Sequence, residues 1–130
     1  MKFAYSILYV ADVEKTLAFY EEAFGFSRKF ITPEEDYGEL VSGETTIAFA
    51  CFALGEANFS QGFQKPSKDD KPFGVELAFV TEDIDTDFTK ALEAGAIEFV
   101  PVAEKPWGQK VGYVRDINGF LIEICTPVKH

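Results

Sequence analysis

Apolar and polar positions alternate and then recur at helical spacing, twice over. Residues 3–10, FAYSILYV, are β-branched and aromatic enough to predict a strand. After Ala11-Asp12 comes VEKTLAFYEEAFG (13–25), where Val13, Leu17, Tyr20 and Phe24 fall on one face of a helix and Gly25 supplies a C-cap. Strands are predicted for FSRKFI (26–31), for a segment around Glu39–Ser42, and, beyond a turn at Gly43-Glu44, for TTIAFACF (45–52). The order then starts again. VELAFV (75–80) reads as a strand and TEDIDTDFTKALEAG (81–95) as a helix ending at glycine. AIEFVPV (96–102), KVGYVR (110–115) and FLIEICT (120–126) complete a second βαβββ series, the last two joined by a DING turn.

Adding 70 carries Val10 to Val80, Thr16 to Thr86 and Gly25 to Gly95, and adding 75 carries Ile47 to Ile122 and Phe49 to Ile124. We read this as an internal duplication within a single 1–130 domain: module one about 1–52, module two about 75–127. The intervening 53–74 is rich in Gly, Ser, Lys, Asp and Pro but carries Phe59, Phe63 and Phe73. It is either a lid or a linker whose phenylalanines tuck onto the core. The expected fold class is α+β, with two tandem βαβββ modules forming a curled mixed sheet around a cleft and helices on the outer face.

Glu123 lies inside an otherwise apolar strand, where a buried carboxylate needs a partner, a metal, a proton or water. Strand parity puts Phe120, Ile122 and Ile124 on one face and Leu121, Glu123 and Cys125 on the other. The uniformly apolar set belongs under the helices, which leaves Glu123 on the open side. Pairing Arg115 with Phe120 would set Gly112 opposite Glu123, with empty space above the acid. The same argument gives Tyr5, Ile7, Tyr9 and Ala48 in module one, and Val75, Leu77 and Phe79 in module two, as pocket residues. Trp107, in KPWGQK, either closes the pocket's mouth or is simply packed. An apolar, aromatic pocket with one acid suits a flat or cationic organic ligand. Asp12 and Asp83 are N-caps, Glu76 is a surface or strand-end charge, and the remaining helix acids form solvated faces.

Charge and composition narrow the partners. Twenty-two acidic against twelve basic residues give a net charge of −10, which argues against nucleic acid. No run approaches the roughly 18 apolar residues of a membrane span, nor is a signal peptide apparent, so a cytoplasmic protein is expected. Cys51 and Cys125 sit in apolar strand patterns and read as free thiols. The sole histidine, His130, is the last residue, leaving no imidazole for a site within the body of the chain.

The segments 7–26, 77–85 and 105–124, together with the D-x-x-G-x-x-x-E pattern at Asp116, Gly119 and Glu123, resemble the vicinal oxygen chelate superfamily of glyoxalase I, extradiol dioxygenases and bleomycin-resistance proteins. The resemblance implies metal-ligand positions on the first and last strand of each module, here Tyr5, Ala48, Val75 and Glu123. Only Glu123 is a usual ligand type, so no metal or other cofactor is expected. It further implies a homodimer and a metal-free small-molecule binding protein that sequesters a cationic or aromatic compound, with Tyr5, Tyr9, Phe59, Phe63 and Trp107 stacking on the ligand. The alternative is a glyoxalase-like lyase or isomerase, or a dioxygenase-type enzyme, using Glu123 as base and Tyr5 as acid.

Overall fold

The computed structural model describes residues 1–128 and divides them into two compact units, Met1–Pro66 and a second beginning at Ser67. His130 lies outside the described residues. The first unit contains β1 (Ser6–Val10), α1 (Val13–Phe24), β2 (Ser27–Ile31), β3 (Tyr37–Ser42), β4 (Thr45–Cys51) and α2 (Phe52–Asn58). The second contains β5 (Glu76–Val80), α3 (Ile84–Glu93), β6 (Ile97–Glu104), β7 (Lys110–Arg115) and β8 (Leu121–Cys125). Each unit has its own four-stranded mixed sheet, ordered β1-β4-β3-β2 and β5-β8-β7-β6. The pairs β1–β4 and β5–β8 run parallel, and the other neighbours run antiparallel. The α+β class and the tandem βαβββ modules are as the periodicity predicts.

Local chemistry explains the helix ends. Asp12 accepts the Lys15 N–H at 3.0 Å, and Asp83 accepts that of Thr86 at 3.4 Å, as N-caps do. Gly25 closes α1 in the left-handed region at φ 74°. Gly95 does not cap α3 directly: the helix ends one residue earlier, at an Ala94 that is still right-handed, and Gly95 then turns the chain at φ 120°.

On the helix-covered side of the first sheet, α1 buries Val13, Leu17 and Tyr20 against Leu40 and Phe49, with the Tyr20 and Phe49 rings 4.9 Å apart. In the second, Ile84, Phe88 and Ala91 of α3 lie in the core with Val114, Ile122 and Ile124. The duplication extends to a packing detail. A Cβ on Gly38 would lie 2.6 Å from Leu17 Cδ1, and one on Gly112 would lie 2.7 Å from Phe88 Cε2. Each sheet thus spends a glycine in its third strand to let a helix side chain lie against bare backbone.

Glu14 and Glu21 are not merely a solvated helix face, because both ion-pair with Arg28 on β2, at 2.5 Å and 2.7 Å. The 53–74 segment is also more than a linker. Its start is α2, and Phe59 and Phe63 pack on Tyr9 with ring centroids 5.7 Å and 5.2 Å away. These ring contacts with β1 fix a stretch whose polar composition makes it look like a loop, although Phe63 is only half-buried and Phe59 stays exposed.

Candidate functional site

The register of β7 on β8 decides what surrounds Glu123. Arg115 pairs with Leu121, Tyr113 with Glu123, and Gly112 with Ile124. This differs by one residue from the pairing expected from the DING turn. Gly112 therefore faces α3 and leaves no space over the acid, because a one-residue slip moves a side chain to the opposite face of the sheet. Tyr113 stands in that place, and its hydroxyl donates to Glu123 Oε1 at 3.0 Å. The phenol that satisfies the acid is thus a cross-strand neighbour. Tyr5 lies beside Tyr37.

The parity of β5 is reversed as well. Leu77 pairs with Ile122 and Phe79 with Ile124, so both lie on the helix side, whereas Glu76, Ala78 and Val80 share the open face with Leu121, Glu123 and Cys125. Val75 precedes the strand and is exposed. In module one the expected parity holds: Ile7 pairs with Ala48 and Tyr9 with Ala50, on the face away from α1. Matching Ile7–Ala48 to Ala78–Glu123 makes Tyr5 the counterpart of Glu76. The first-strand corner of module two is therefore Glu76 where the sequence offset gives Val75.

Glu76, exposed at the start of β5, has Glu123 as its carboxyl neighbour on the open face. Partial loss of hydration against the sheet, then the hydrogen bond and charge of Glu123, hold Glu76 above the usual carboxylate range. Desolvation and the same neighbour push Tyr113 up to about 12 and Cys125 up to about 11. At neutral pH Tyr113 is therefore a hydrogen-bond donor, and Cys125 is an unreactive thiol whose Sγ lies 3.7 Å from the Phe79 carbonyl. Sequence reasoning missed Glu76, though a signal was present. The rule that places Ile122 and Ile124 under the helix, applied to β5, puts Leu77 and Phe79 there and turns Glu76 outward.

A second acid–phenol pair occupies the open face of module one. Glu39, only 8% exposed, pairs with Ala48 across β3–β4 and accepts from the Tyr37 hydroxyl at 2.6 Å. Lys29 approaches it at 3.7 Å. Burial and the Glu39 carboxylate raise the Tyr37 phenol well above its ordinary value. This pair is not legible in the sequence, because the strand predicted around Glu39–Ser42 is too short for its faces to be assigned from pattern alone.

Trp107 stands elsewhere, in the turn between β6 and β7. It lines a cleft of about 340 Å³ with residues 82–85, 108–110, Thr126 and Pro127, among which none of the other expected pocket residues appears.

The family model for the glyoxalase-like domain matches residues 3–129, virtually the whole of this duplicated fold. The chain belongs to that family. This glyoxalase-like chain is 29% identical over 130 residues to the uncharacterized protein YraH of Bacillus subtilis, with 95% of this chain and 97% of YraH covered. Its fold resembles a glyoxalase/bleomycin resistance protein/dioxygenase family enzyme from Burkholderia phytofirmans, with a TM-score of 0.82, 20% identity, and 97% and 98% of the two chains covered. It also resembles a glyoxalase-related enzyme from Fulvimarina pelagi, with a TM-score of 0.79, 19% identity, and 98% and 89% covered. The vicinal oxygen chelate superfamily inferred from the motifs is thereby shown.

That superfamily implies a divalent metal in its metal-dependent members. The donor chemistry at the corresponding positions does not fit one. Ala48 offers no ligand atom, Tyr5 is a phenol, and Glu76 and Glu123 are engaged with each other. Among the described residues no three His, Cys, Asp or Glu side chains are grouped to hold a metal ion. No described helix is long and apolar enough to cross a membrane.

The carboxyl pair makes stability depend on pH. Glu76 is raised in the folded state, so the fold binds more protons than the unfolded chain between the ordinary carboxylate pKa and the raised one. Stability falls as pH rises through that window. Glu76→Gln, isosteric with the protonated acid, should match the parent at low pH. It should exceed the parent at neutral pH by about 0.5 kcal/mol, a solvent-screened value, as read from urea midpoints.

Proposed function

We propose that this chain is a metal-free small-molecule binding protein of the glyoxalase/bleomycin-resistance type, working as a homodimer, whose ligand is a cationic or aromatic organic compound. The observation that carries the reading is the Glu76–Glu123 pair on an open sheet face with Tyr113 donating into it. Two neighbouring carboxyls are a ready counter-ion for an amine or amidinium. The phenol orients one acid, and Leu121 and Val80 supply apolar contact on the same face. The net charge of −10 draws such a ligand in.

The test is calorimetric titration of chelator-treated protein with cationic aromatic compounds, bleomycin first. Binding is expected to weaken about 5- to 30-fold in Glu123→Gln, the loss of one charge-assisted contact. Affinity should rise as pH passes upward through the raised Glu76 pKa, with a proton released on binding. Equal binding by the parent and Glu123→Gln would remove the site from the proposal. So would a tight 1:1 site for Zn²⁺, Ni²⁺, Mn²⁺ or Fe²⁺ that disappears in the variant.

The second reading, a glyoxalase-type lyase or isomerase, draws on the same pair, since neighbouring carboxyls can serve as acid and base. In that case Glu123 takes the substrate proton, and Glu123→Gln abolishes turnover while leaving much of the binding.

A further inference from the structure

The cleft at the carboxyl ends of β5 and β8 is built differently from the sheet face. One wall is Glu82, Asp83 and Asp85, between β5 and the first turn of α3, and the other carries Trp107 and Lys110. The volume of about 340 Å³ falls in the range of small-ligand sites. Trp107 is 62% exposed yet is fixed by its edge. Its Nε1 donates to Gln109 Oε1 at 2.8 Å, and Gln109 Nε2 donates in turn to the Thr126 carbonyl at 2.9 Å. A packed tryptophan buries its rings. This one is braced while its surface stays open to solvent, a geometry that costs apolar exposure and suits a ring face that must meet a ligand.

Charge selects the ligand. The start of a helix favours an anion, but here Asp83 already accepts the Thr86 N–H, and Asp85 and Asp87 add negative charge in the first turn of α3. A free anion entering the cleft would meet three carboxylates against the single ammonium of Lys110. A cation meets the reverse, together with an indole face whose quadrupole attracts it.

We infer that this cleft is a second ligand site, for a small organic ammonium ion held over the Trp107 indole and balanced by Glu82 and Asp85. Glu123 does not line it, so the inference stands or falls apart from the sheet-face reading.

Trp107 is the only tryptophan, so its own fluorescence reports occupancy. Choline, titrated at low salt, should change the emission saturably with a Kd of about 1 mM, weakening as salt is added. Its neutral isostere 3,3-dimethylbutanol should bind at least about tenfold less well. Calorimetry should show about tenfold weaker choline binding in Trp107→Leu and about fivefold weaker binding in Glu82→Gln/Asp85→Asn. Absence of saturation to about 50 mM, equal binding of the neutral isostere, or loss in Glu123→Gln alone would each overturn the assignment.

Discussion

Replacing Gly119 with alanine should cost about 3 kcal/mol of folding stability, more than a turn glycine normally carries. Two penalties coincide at this position. Gly119 sits at φ 99°, where an L side chain is strained, and an added Cβ would lie 2.6 Å from the Ser67 carbonyl oxygen and 2.8 Å from its carbon. Those are backbone atoms and cannot rotate aside. Gly43→Ala separates the two contributions, because Gly43 has φ 58° but open space around its Cβ direction. That control should lose only about 1 kcal/mol. Urea denaturation of the two variants checks the pair, and equal losses would show that the Ser67 contact carries no energy.

Arg115→Leu should destabilise the protein by about 2–4 kcal/mol, because it takes the guanidinium donors away from three backbone carbonyls. The guanidinium is 8% exposed and spends its donors on Gly119 O at 3.0 and 2.8 Å, Ser67 O at 3.0 Å and Lys68 O at 3.1 Å. It thereby ties the start of the second unit to the β7–β8 hairpin. Arg115→Lys should recover only part of the loss, since a point charge cannot serve a planar fork of acceptors. A drop below about 0.5 kcal/mol in Arg115→Leu would mean that water replaces the bonds without penalty. Exchange protection around Asp70, whose N–H bonds the Ser67 carbonyl at 3.3 Å, should fall in parallel.

Both predictions revise the meaning of the D-x-x-G-x-x-x-E pattern. Asp116 is wholly buried and accepts the N–H groups of Asn118 at 2.8 Å and Phe120 at 2.9 Å. Gly119 supplies the positive φ. The first two members of the motif form the turn, and only Glu123 reaches the open face.

The sequence alone determined the order of the two βαβββ series, the duplication, the two aspartate N-caps and the face of Glu123. Each of these depends on periodicity or on chemistry within a few residues, which side-chain type and spacing encode directly. Tertiary structure decided the rest. The DING loop could close with Arg115 against Phe120 or against Leu121, and packing chose the latter by placing Gly112 under Phe88. That one-residue difference replaced empty space above Glu123 with Tyr113. Glu76 became a site residue through the parallel β5–β8 register, which no local rule fixes, since the two strands are joined only through three other elements. The braced Trp107 likewise depends on Gln109 reaching Thr126, 17 residues further along the chain. Contacts at such separation are set when the sheet closes, and it is there that the acid pair and the indole cleft arise.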